Sequence, residues 1–132
     1  MELVKNSKKY WEFIRQLRNK EGVKQGFIKQ SNITVDEHAI FMDNYSDCFY
    51  ICLNEKQPVG YIGVINNDIR VATEPNMQGK GVGSFMVKAL VDRHPTAHAK
   101  VKIENEASLR LFEKCGFVKK YYILEKDETQ SL

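Results

Sequence analysis

No stretch of this 132-residue sequence is apolar for long enough to cross a bilayer. No charged-then-apolar leader opens it either. A cytoplasmic protein without membrane partners is therefore expected. Cysteine is scarce: Cys48, Cys52 and Cys115 form an odd set without metal-ligand spacing, so no metal site is expected. Cys48 and Cys52 fall in one predicted strand, about 13 Å apart between Cα atoms. A disulfide needs about 7 Å or less, so reduced thiols packed in the core are expected. Charge of one sign is also lacking. Twenty Lys and Arg face 17 Asp and Glu, a net of +3. That is too little for nucleic acid, though it suits a small polyanionic ligand. Repeats, low-complexity segments and interdomain linkers are absent, which leaves one domain over residues 1–132 with a loose tail from Lys126.

What is present is enough for a core: 42% apolar residues, with seven Phe, six Tyr and one Trp. Tyr10, Phe13, Ile14 and Leu17 keep helical spacing within Ser7 to Asn19. Gly22 and Gly26 bracket a poorly defined segment. Thr34 with Glu37 three residues on reads as a capping box, and the helix behind it runs to about Met42. A meander follows. Cys48 to Leu53 and Pro58 to Ile65 read as strands around a turn at Asn54 to Gln57. Asn66-Asn67, tolerant of positive φ, makes a tight turn into a strand at Asp68 to Thr73. Then come a helix from about Gly81 to Asp92, a strand at Ala99 to Ile103, a short helix at Ala107 to Lys114 and a last strand at Val118 to Leu124. The order is ααβββαβαβ, an α+β fold with a mixed, mostly antiparallel sheet, and Leu3-Val4 reads as the remnant of a first strand.

The most informative segment is Gln78-Gly79-Lys80-Gly81-Val82-Gly83, at the bend between the strand ending at Thr73 and the helix from Gly81. Glycines there leave amides uncovered, and the first turn of a helix has donors without internal partners. Such a helix mouth suits a phosphate or pyrophosphate. A Walker loop would need glycine at position 74 and Ser or Thr at 81; the chain has Glu74 and Gly81. A dinucleotide fingerprint from Gly79 would need glycine where Ser84 stands.

The spacing Gln78, Gly81, Gly83, with Pro75 upstream, resembles the acyl-CoA motif of the GNAT superfamily of N-acetyltransferases. Asn105 through Phe117 is similar to that family's second signature: an Asn N-cap, a short helix and Gly116 at its end. The resemblance spans about residues 45 to 125. It implies a single-domain GNAT fold and direct transfer of an acetyl group from acetyl-CoA to a primary amine. By register it assigns the pantetheine contacts to Val71, Ala72 and Thr73, and the pyrophosphate to the amides of Gln78, Gly79, Lys80, Gly81, Val82, Gly83 and Ser84. Asn105, Ser108 and Phe112 complete the implied cofactor set, and backbone N–H groups near Thr73 would stabilise the oxyanion.

Proton transfer is where the chain departs from the resemblance. The position seven after Asn105, where the family often carries an acidic tyrosine, holds Phe112. A phenyl ring donates no proton, so Tyr121, Tyr122 or water is left as the donor. Candidate bases are Glu74, Glu104 and His38, the last with a pKa range suited to the work. Ahead of the cofactor motifs, Leu17-Arg18-Asn19, Val23-Lys24 and Ile33 to His38 resemble nucleotide-amino-sugar N-acetyltransferases, whose acceptor is a nucleotide-linked amino sugar. Arg18 then reads either as a partner for a substrate phosphate or as half of a helix-surface salt bridge. A protein or peptide amine is the rival acceptor, and a non-catalytic acyl-CoA-binding module is the rival function. A monomer or homodimer is expected.

Overall fold

In the computed structural model, which describes residues 1–20 and 32–127, one four-stranded antiparallel sheet separates two helical layers. The strands are β1 (Glu2–Lys5), β2 (Phe49–Asn54), β3 (Gln57–Ile65) and β4 (Asp68–Thr73), hydrogen-bonded in that order. The helices are α1 (Trp11–Asn19), α2 (Val35–Tyr45), α3 (Val82–Arg93) and α4 (Glu106–Lys114). Gly22 and Gly26, and the tail beyond residue 127, lie outside the described residues.

Period-two alternation sorts the strands between two cores. Phe49, Ile51, Tyr61 and Ala72 meet Ile14 and Leu17 of α1 and Met42 of α2. Cys52, Ile62 and Ile69 meet Val82, Met86, Val87 and Leu90 of α3 and Phe112 of α4. β3 is covered on both faces, which is why its middle reads as a continuous apolar run.

Local signals act where expected. The Thr34 hydroxyl accepts from the Glu37 amide at 3.1 Å and opens α2. Asn66 and Asn67 take φ of 53° and 64°, the two-residue turn that joins β3 to β4. α4 closes with Gly116 at φ 93°. There Phe117 N donates to Phe112 O (3.0 Å) and Gly116 N to Glu113 O (3.1 Å). The Phe112 and Phe117 rings meet edge to face, 5.2 Å apart, which completes a Schellman motif.

Three expectations need correction. Leu3-Val4 belongs to a complete strand, β1, paired with Cys52 and Ile51. Ala99 to Ile103 is not a strand. The chain there is held to β4 by one parallel bridge, Asp68 to His98, and then diverges. Its inward residues, Ala97, Ala99 and Val101, are small, while Lys100 is exposed. Val118 to Leu124 is not a strand either: the edge it would pair with does not form, and Tyr121 and Tyr122 are 90% and 95% exposed. The three cysteines are free thiols, Cys52 fully buried and the others half-buried.

Candidate active site

The site begins at the free edge of β4. In a strand, backbone groups point alternately to either side. Arg70 and Ala72 stand opposite Gly63 and Tyr61 of β3. The outward amide of Ile69 donates to His98 O at 2.9 Å. Past that point the following chain peels away, so the next outward positions, Val71 and Thr73, face open space. They line a cavity of about 710 Å³.

That cavity continues along the bend into α3. Gly79 and Gly81 take φ of 79° and 84°, and a Cβ built on either would touch nothing within 4 Å. The first backbone hydrogen bond of the helix is Phe85 N to Gly81 O, 3.0 Å, so the amides ahead of it are left at the open mouth. A Cβ on Gly83 would sit 3.2 Å from Leu111, so this glycine lets α3 and α4 approach. The far wall is α4, where the Asn105 side chain accepts from Ser108 N at 3.1 Å. Lys102, Arg110 and Lys114 also line the cavity, cations that the sequence reading did not single out.

A second cavity of about 390 Å³ lies on the α1/α2 side. Arg18, Phe41, Phe49, Tyr61 and Arg70 line it, and it shares Val71, Asn105 and Ser108 with the first. The two clefts thus meet at the splayed edge of β4. Burial pushes the Tyr61 hydroxyl well above the usual phenol range, against the opposing pull of Arg18 and Arg70. It is a neutral O–H donor at physiological pH.

Of the cofactor residues expected from the sequence, Val71, Ala72, Thr73, Gln78, Gly79, Gly81, Val82, Gly83, Ser84, Asn105 and Ser108 line the larger cleft. Phe112 is in the wall of the smaller one, and Lys80 lines neither. The proton-transfer candidates are scattered. Glu104 lines the larger cleft. Glu74 is ion-paired with Lys20 at 2.5 Å. Tyr121 and Tyr122 stand in solvent and line neither cleft.

His38 also lies outside both clefts. It is 3% exposed, with Nε2 2.8 Å from Trp11 O. A carbonyl only accepts, so Nε2 carries the proton, and Nδ1 is enclosed without a partner. Burial lowers its pKa from the ordinary 6.5, overcoming the opposite effect of the Trp11 carbonyl. Below pH 6.5 the unfolded chain therefore takes up a proton before the native one does. Stability is expected to be full above that value and to fall as pH drops through the acid range below it. His38→Gln should flatten this dependence in denaturant midpoints compared across that range.

The model of the acetyltransferase (GNAT) family matches residues 11–117, and the chain belongs to that family. No curated protein matches. Among solved structures, the spermidine N-acetyltransferase of Vibrio cholerae in complex with CoA and spermine is 20% identical with a TM-score of 0.80. The match covers 95% of this chain and 85% of that one. The ribosomal-protein-alanine N-acetyltransferase of Brucella melitensis is 15% identical at a TM-score of 0.75, over 88% of this chain and 83% of its own. An acetyltransferase from Salmonella typhimurium with its cofactor acetyl-CoA is 19% identical at 0.73, over 89% and 79%. At these identities the likeness is one of fold.

Proposed function

We propose that acetyl-CoA occupies the larger cleft and a small primary amine enters through the smaller one, the two meeting at Val71, Asn105 and Ser108. The observation that carries this reading is the splay of β4. It leaves outward backbone groups at Val71 and Thr73 beside an open helix mouth, as an extended pantetheine arm ending in a diphosphate requires. The diphosphate sits on the amides of Gly79 to Ser84. Lys102, Arg110 and Lys114 add positive potential.

The amine nitrogen, unprotonated, attacks the thioester carbonyl. The C–N bond forms, the C–S bond breaks, and the thiolate takes a proton while the former amine releases one. Water on the open side of the cleft, or the Glu104 carboxylate, receives the amine's proton. Tyr61 is the donor we favour for the thiolate, because it carries a protonated hydroxyl in the wall of the acceptor cleft. Tyr61→Phe is expected to lower kcat about tenfold or more with little change in CoA affinity. Tyr121→Phe and Tyr122→Phe should run at the parental rate; thiol release from acetyl-CoA measures all three.

A nucleotide-linked amino sugar rests on sequence patterns, the N-terminal one and the stretch from Asn105 to Phe117, and Val23-Lys24 of the first lies outside the described residues. The general reading is tested by thiol release with a panel of primary amines. Binding of acetyl-CoA without turnover on any amine would instead support a non-catalytic acyl-CoA module.

A further inference from the structure

Arg18 sits on α1 with its guanidinium carbon 5.3 Å from the centre of the Phe41 ring, half-buried against the aromatic wall of the smaller cleft. Among the described residues it makes no ion pair, so the helix-surface salt bridge is not what it forms. Arg70 projects from β4 into the same cleft, and Lys100 joins the wall from the chain beyond the splay. Among the described residues the groups acting on the Arg18 charge are Tyr61 and Arg70, and no carboxylate is among them. Burial lowers its pKa, as desolvation does to a cation left without a counter-charge. Among the described residues the one acid lining this cleft is Asp68, two residues before Arg70 on the same strand face, with Oδ1 enclosed and unpartnered.

A cation drawn out of water beside a second cation costs stability unless something answers it. A guanidinium held over a ring is also pre-set to offer two parallel N–H groups to a planar or tetrahedral oxyanion. We infer that the smaller cleft selects amines that carry a phosphate or carboxylate, with Arg18 and Arg70 gripping that anion while the amine reaches the splayed edge of β4. Lys100 adds to the attraction. A polyamine meets three cations and one acid here, and is a poor fit. The inference deepens the acetyl-transfer reading and rests on it for the location of the acceptor.

Paired acceptors test it, using the whole chain with saturating acetyl-CoA. The pairs are 2-aminoethyl phosphate and β-alanine against ethanolamine, with spermidine as the polycation. The anionic amines are expected to show kcat/KM at least tenfold above ethanolamine, with spermidine lowest. Arg18→Gln should raise KM for the anionic amines about tenfold more than for ethanolamine, leaving CoA affinity and melting temperature near parental. Arg70→Gln should act in the same direction. Which anion binds better, phosphate or carboxylate, tells the two sources apart. Equal use of charged and neutral amines, or a preference for spermidine, overturns the inference while leaving acetyl transfer standing. A readout free of catalysis is calorimetric binding of 2-aminoethyl phosphate to the CoA-loaded protein. It should be present in the parent and lost in Arg18→Gln; its absence in the parent also overturns the inference. Failure of acetyl-CoA itself to bind would strike the acetyl-transfer reading instead.

Discussion

Gly81→Glu will weaken CoA binding by on the order of a hundredfold and leave the fold in place. Gly81 is the N-cap of α3 and takes φ 84°, with nothing within 4 Å of the position a Cβ would fill. A side chain there meets no wall, so its direct structural cost is the left-handed backbone, about 1–2 kcal/mol. The larger effect is electrostatic. The helix mouth offers partial positive charge and unpaired amides to an anion, and a glutamate at the N-cap supplies an anion of its own. The diphosphate then loses its hydrogen bonds and meets like charge, together about 3 kcal/mol. Gly81→Ala separates the two contributions, since it carries the backbone strain without the carboxylate. Its loss should be about tenfold or less. Calorimetric titration of CoA into both variants, with melting curves as a check on folding, decides the matter.

Gly60→Ala will destabilise the protein by about 2 kcal/mol and lower its melting temperature by about 8 °C. Gly60 lies in β3 under α3, where a methyl group would stand 2.8 Å from Ala72 O and 2.8 Å from Met86 Cε. Met86 is flexible and can turn aside. The Ala72 carbonyl is backbone of β4 and cannot move without shifting the strand that borders both clefts. The same variant is therefore expected to raise KM for acetyl-CoA. Thermal melting reads the first effect and initial rates against acetyl-CoA concentration read the second. A parental melting temperature would mean that β4 yields freely.

How much of this was written in the sequence depends on how local each signal is. The glycine bend was legible because its glycines must be glycine: positive φ at Gly79 and Gly81 is a local demand. Asn105, Gly116 and the Asn66-Asn67 turn were legible for the same reason. Ala99 to Ile103 and Val118 to Leu124 were misread because alternation is a property of one segment, whereas a strand needs a partner. After His98 the chain leaves β4, and the segment after α4 is left with nothing to pair with. That divergence opens the cleft, so the misreading and the site share one cause.

The acceptor side was the least legible part. It is assembled from single residues on α1, α2, β2 and β3, a run on β4 and scattered positions in the chain beyond. Tyr61 and Arg70 occupy ordinary strand positions, with no spacing to mark them. Arg18 could be picked out but not decided, because a surface salt bridge and a substrate contact look alike until its neighbours are known. His38 had the right chemistry on paper, but its helix turns it toward the Trp11 carbonyl.

The most direct test follows the backbone amide resonances of Gly79, Gly81, Gly83 and Ser84 while CoA, then pantetheine, is added. The account predicts large, saturable shifts at these four amides with CoA, and none with pantetheine, which lacks the diphosphate. If CoA binds and leaves those amides unmoved, the helix mouth is not where the carrier is held, and the account is wrong.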